Sequence, residues 1–175
     1  MRTRKQWTLF TLAVVAVALC GWAVADWRSI RPYEWQEVQS PDSQFRISFP
    51  GIPTVSQTRE TAFVSYRFAV SPNDGALYAV SWWENPSQKS KSTDELFADF
   101  SSCNIKTIHG KIVGEKRFEV QGHPAQDTML AANGQMVVNR VIRVGPRLYS
   151  LWVFDSAWHL GRGDAKRFLS SLSVR

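Results

Sequence analysis

The sequence is short of the residues that most often carry chemistry. Its 175 residues include two cysteines and three histidines. Cys20 lies in an apolar N-terminal run, so Cys103 is alone in the remainder and no internal disulfide is possible there. Leu96, Phe97, Phe100 and Ile105 flank Cys103 in sequence, which predicts a buried, inert thiol. Zinc needs three or four ligands at workable spacing. Cys103, His109, His123 and His159 offer neither Cys-x-x-Cys nor His-x-x-x-His, so no metal site is expected. A Cys103–His109 nucleophile pair is disfavoured, because one residue is expected to face the core and the other a helix exit. Asp155, Ser156 and His159 are the residue types of a hydrolase triad. Lying so close together they can hardly form the triad's relay, and no Gly-x-Ser-x-Gly elbow supports them.

Other motifs are incomplete. Gly161 and Gly163 lack the third glycine and the βαβ context of a phosphate cradle. Arg162-Gly163-Asp164 spells an integrin-type tripeptide but reads as a helix start with Asp164 as its N-cap. Pro86 blocks glycosylation at Asn85. No catalytic, metal-binding or cofactor-binding residue is expected, and no cofactor. Charge of one sign is also scarce. The net charge of +6 includes Arg2, Arg4 and Lys5 in an acid-free N-terminal segment, leaving +3 for the rest. That is an ordinary soluble surface, and it excludes nucleic acid as the expected partner.

What is present in quantity is apolar bulk. Ten Phe, eight Trp and four Tyr are enough to build a core and argue against disorder. Residues 7–25 run without a charge, long enough for a membrane-spanning helix of about 17–25 residues. The basic flank would stay cytoplasmic and send the rest of the chain outward. Two readings stay open. Ala23-Val24-Ala25 fits signal-peptidase cleavage before Asp26. Trp7, Trp22 and Trp27 resemble the aromatic belts of a retained anchor, which is the favoured reading. The expected organisation is 1–25 signal-anchor or signal peptide, 26–34 juxtamembrane spacer, and 35–175 a single domain.

From Trp35 onward the pattern alternates at period two, as half-buried strands do. The first short strand is followed by one carrying Phe45, Ile47 and Phe49 on one face. Pro50-Gly51-Ile52-Pro53 must end that ladder, since proline has no amide hydrogen to give, and lets the chain turn a corner. Val64, Tyr66, Phe68 and Val70 mark the next strand, paired as a hairpin with Leu77–Glu84. The latter is apolar on both faces, so layers are expected above and below the sheet. Ser92 and Glu95 fit a capping box opening a helix with Leu96, Phe97 and Phe100 as its stripe. Four strands follow, at Lys111–Val120, 125–131, Gln135–Val144 and 147–154, then a helix burying Phe168, Leu169 and Leu172. The class predicted is α+β: a mainly antiparallel β-sheet of about six to eight strands sandwiched by helices, preceded by one N-terminal hydrophobic helix.

Five stretches in this order carry a resemblance. "FRISFPGIP", "LYAVSWWENP", "GHPAQD", "RLYSLWV" and "AKRFLSSL" resemble, in sequence and spacing, a group of exported bacterial domains. His123 stands where that group usually has tyrosine. The fold this implies is PsbP-like, after the photosystem II extrinsic protein, an α/β/α sandwich. The resemblance implies no photosynthetic role, and the closer group is largely uncharacterised.

Two function classes remain. One is a noncatalytic binding or scaffolding domain on the outer side of the cytoplasmic membrane, whose partner is a protein or small molecule. The other is an unrecognised extracytoplasmic enzyme. The first is favoured because no acid, base and nucleophile converge. Its candidate partner-binding surface is Trp82, Trp83, Glu84 and Asn85, at a strand end. Adjacent strand residues face opposite ways, so either both tryptophans are core or one of them lines a contact surface. For the N-terminal run, sequencing of the mature chain is expected to find residues 1–25 still attached. A chain beginning at Asp26 would show cleavage.

Overall fold

The computed structural model describes residues 34–59, 64–72, 76–84, 90–155 and 163–175. The N-terminal hydrophobic helix, the spacer up to Tyr33, Asn85, Ser156, His159, Gly161 and Arg162 lie outside the described residues. The described strands are β1 (Trp35–Gln39), β2 (Phe45–Pro50), β3 (Thr54–Arg59), β4 (Val64–Val70), β5 (Leu77–Glu84), β6 (Lys111–Val120), β7 (His123–Ala132), β8 (Gln135–Val144), β9 (Arg147–Asp155) and β10 (Ser173–Val174). Helix α1 spans Thr93–Ile108 and α2 spans Asp164–Ser170.

All described pairings are antiparallel and fall into two sheets, β1-β2-β10 and β3-β4-β5-β9-β8-β7-β6. The larger sheet is the one expected. The corner at Pro50–Pro53 is the passage between the two. Gly51 takes φ +118°, and its amide donates back to Phe49 O at 2.9 Å. A Cβ there would also meet Val70 at 3.4 Å. Only glycine holds that backbone without strain. The chain therefore leaves one layer at Pro50 and enters the other at Thr54.

One face of the large sheet carries Phe68, Tyr78, Val80, Trp82, Tyr149, Leu151 and Val153, packed against Phe45, Ile47 and Phe49 of β2 and Phe168 of α2. Aromatic edges interlock there, with Phe45 and Trp82 centred 4.8 Å apart at 75°. Arg140 forks onto Asp127 at 2.7 and 2.8 Å and donates to Leu169 O at 2.9 Å, tying the end of α2 to β8. The other face is covered by α1, where Leu96 and Phe97 pack on Val141 and Leu148. Its capping box forms as expected: Glu95 N donates to Ser92 Oγ at 3.2 Å, and Ser92 N donates to Glu95 at 2.8 Å. The Ser92 amide and hydroxyl both donate to the Glu95 carboxylate and hold it below its ordinary pKa.

Three expectations need correction. Cys103 is exposed, not buried. The inner face of α1 is Leu96, Phe97, Ser101 and Asn104, and at ~100° per residue Cys103 lies roughly 100° from its middle. Ile105 falls at the opposite margin and is 40% exposed. Second, Asp164 is the first helical residue of α2, and the N-cap is Gly163 at φ +90° with no side-chain cap. Third, β3 and β10 exist in addition to the expected strands. Gly51→Ala is expected to lower stability by about 1–3 kcal/mol through backbone strain, as read from denaturant unfolding.

Candidate binding cleft

A helix is ~10–12 Å wide, whereas seven strands at ~4.8 Å spacing span on the order of 30 Å. Helix α1 can therefore cover only part of its face of the sheet. Polar contacts decide which part. Ser101 Oγ donates to Glu115 of β6 at 2.5 Å and accepts from Gln126 of β7 at 2.9 Å. Asn104 donates to Asn139 of β8 at 2.8 Å. Arg143 of β8 donates to Thr93 Oγ1 at 3.2 Å and to Lys91 O at 2.9 Å, and Arg117 of β6 pairs with Asp94. The helix is held over the β6–β8 side.

Along the other margin of α1 runs a cleft of about 580 Å³, lined by Asp99, Phe100, Cys103, Asn104 and Thr107 from the helix. Its floor is Ser65 of β4, Ser81 and Trp83 of β5, and Ser150 and Trp152 of β9. Register creates the hollow. Ser81 faces Ser150, Ser65 faces Trp83, and Ala79 faces Trp152. Same-face rows repeat every ~6.8 Å along a strand, so the row Arg67–Ser81–Ser150, serine on β5 and β9, lies between two rows that carry an indole. Small side chains leave the space, and Trp83 and Trp152 bound it.

The electrostatics are mild. Asp99 is the one carboxylate in the lining, and it pairs with Lys91 at 2.6 Å. That carboxylate raises the Lys91 ammonium above its ordinary pKa by hydrogen bonding and charge. Beneath the cleft, Asn139 Nδ2 donates to Ser150 Oγ at 2.8 Å and to Leu151 O at 3.1 Å. Trp83 and Phe100 are centred 5.6 Å apart at 45°, and Trp152 stacks on Phe154 at 5.6 Å and 20°.

The sequence-expected surface is divided by this geometry. Trp82 is 3% exposed and faces the β2 layer, stacked on Tyr66 at 5.2 Å. Trp83 lines the cleft on the opposite face. Glu84 is exposed and accepts from Arg147 at 3.0 Å, while Arg147 also reaches Asp42 at 2.6 Å. Burial raises the Asp42 pKa, but hydrogen bonds from Ser40, Gln44 and Arg147 outweigh it and leave the group below its ordinary value. His109 is the exposed left-handed C-cap of α1, and His123 begins β7, so neither joins Cys103 in the cleft. Asp155 is buried at the end of β9. Among the described residues no three of His, Cys, Asp and Glu are grouped as a metal site would require. Sequence reasoning missed Ser65, Ser81, Ser150 and Thr107, which carry no motif.

No protein-family model and no curated protein matches the chain. Solved structures do match. The solution structure of cyanobacterial PsbP (CyanoP) from Synechocystis sp. PCC 6803 superposes with a TM-score of 0.58 at 11% identity, over 81% of this chain and 92% of that one. A protein of unknown function, PA94 from Pseudomonas aeruginosa, aligns with a TM-score of 0.45 at 15% identity, over 81% and 97%. By the CyanoP superposition the fold is PsbP-like, as the sequence resemblance implied. Among the described residues no helix is long and apolar enough to cross a membrane.

The two tryptophans should respond differently to truncation. Trp82→Ala is expected to cost about 3–5 kcal/mol of stability. Trp83→Ala, half-buried at a cleft wall, should cost about 1–2 kcal/mol. Chemical denaturation of both variants checks this.

Proposed function

We propose that this is a noncatalytic binding domain displayed on the outer side of the cytoplasmic membrane, with the α1 cleft as its binding site. The observation that carries the reading is the cleft itself. Its volume of about 580 Å³ falls in the range of about 300–1,000 Å³ typical of ligand sites. Its walls are aromatic and its floor is hydroxyl-bearing. Such a lining offers contact area and a few orienting hydrogen bonds. The uncharged run at residues 7–25, with Arg2, Arg4 and Lys5 before it, supports an outward-facing domain held at the membrane. Trp83 is the residue through which the sequence-expected surface enters this site.

Cys103 provides the test, because it is exposed at the cleft margin. In intact cells a membrane-impermeant maleimide should modify it, and Cys103→Ser should abolish the signal. A photo-crosslinker attached to Cys103 should then trap the ligand or partner, and a cleft-filling Ser81→Leu change should remove the adduct. Modification only after lysis would overturn the location. An adduct unaffected by Ser81→Leu would overturn the cleft.

A further inference from the structure

The hydrogen bonds beneath the cleft have a fixed direction, and that direction specifies the ligand. Leu151 O is a backbone carbonyl and can only accept, so the Asn139 group facing it at 3.1 Å is the amide nitrogen. Asn139 Oδ1 then points the other way and accepts from Asn104 Nδ2 at 2.8 Å. The same Asn139 amide donates to Ser150 Oγ at 2.8 Å. Ser150 is thereby engaged as an acceptor, and its hydroxyl proton is left to donate. The chain runs Asn104 to Asn139 to Ser150, each bond polarising the next. It ends at the cleft floor, which Ser150 lines.

The walls narrow the choice further. Trp83 with Phe100, and Trp152 with Phe154, present aromatic surface on the two sides of the serine row. Flat rings stack on such surfaces with favourable quadrupole contacts. The Asp99 carboxylate is already matched by Lys91 at 2.6 Å, and the lining contains no other charged side chain. Arg67, opposite Ser81 in register, is exposed and stands outside the lining, so an ion entering would lose hydration without a counter-charge inside the cleft, which is costly.

Resting on the cleft being the binding site, we propose that its ligand is a neutral, flat aromatic molecule bearing a carbonyl-type oxygen. The ring lies between Trp83 and Trp152 over Ser81, and the oxygen accepts the Ser150 hydroxyl proton. Three probes of one ring size separate the elements of the proposal: 2-acetylnaphthalene, 2-ethylnaphthalene and 2-naphthoate. The full chain in nanodiscs is treated with a maleimide, and the modification rate of the Cys103 peptide is followed by mass spectrometry. Each probe is scored by the concentration that halves the rate.

The acetyl compound is expected to protect at a roughly five- to tenfold lower concentration than the ethyl compound, the worth of one neutral hydrogen bond. The naphthoate should need at least about tenfold more than the acetyl compound, since its charge goes unpaired. Ser150→Ala, which removes the hydroxyl and keeps the Cβ, should erase the acetyl–ethyl difference. Ser81→Leu should abolish protection by all three. Equal protection by acetyl and ethyl compounds, lost in Ser81→Leu, would overturn the oxygen contact while leaving the cleft as a site. Strongest protection by naphthoate would overturn neutrality. No protection by any probe would overturn the ligand class while leaving the cleft to the crosslinking test, whereas protection unchanged in Ser81→Leu would overturn the cleft as the place where the probes bind.

Discussion

Strands β5 and β9 carry bulky side chains on both faces, so each has to be covered from two sides, and the layers of the domain follow from that demand. On one side the covering is complete. Phe45, Ile47 and Phe49 of β2, with Phe168 of α2, meet Tyr78, Val80, Trp82, Tyr149, Leu151 and Val153. On the other side the described residues supply a single helix, and one helix spans two or three strands. Something has to be left over. The uncovered margin falls where the side chains shrink to Ser65, Ser81 and Ser150, and there the cleft forms.

Polar contacts keep the helix from closing that margin. Ser101, Asn104, Gln126, Thr128, Asn139 and Ser150 are all buried in the α1 layer, and hydrogen bonds link them to one another. Each such bond is worth about 1 kcal/mol net, but a buried group left without its partner costs ~1–3 kcal/mol. Sliding α1 toward β4 and β5 would strand several of them at once. An all-apolar interface would have tolerated such a shift, whereas this one has a single good register. The emptiness beside the helix is therefore maintained by interactions beneath it.

Much of the fold was legible in the sequence because alternating burial leaves a period-two trace. Phe45, Ile47 and Phe49 mark β2, the pattern around Tyr78 and Trp82 marks β5, and Ser92 with Glu95 marks the start of α1. Strand β3 left no such trace. Its segment TVSQTR contains one large apolar residue, Val55, which is 63% exposed at the sheet edge. Strand β10 is two residues long, below any periodic signal. The burial of Cys103 was misjudged because nearby apolar residues suggest a wider stripe than the helix buries. Its inner face includes Ser101 and Asn104, polar residues that sequence alone assigns to solvent. The cleft was illegible for a related reason, since its defining residues are serines, and only strand register shows that Ser81 and Ser150 meet. Trp83 was the member singled out in advance as a contact residue, whereas Phe100 and Cys103 were assigned to the core.

The small sheet has a consequence for the order in which the domain assembles. Strand β2 is bordered by β1 on one edge and by β10, the last of the described strands, on the other. Ser173 pairs with Arg46, and Arg175 N donates to Gln44 O at 2.9 Å. Closing that edge joins segments separated by nearly the whole domain, a loop whose entropy is recovered only once the chain between is compact. The hairpins from β6 to β9 involve short separations and need no such wait. Docking of β10 is thus the late step, and the edge of β2 that it covers is expected to stay open until the strands between have packed.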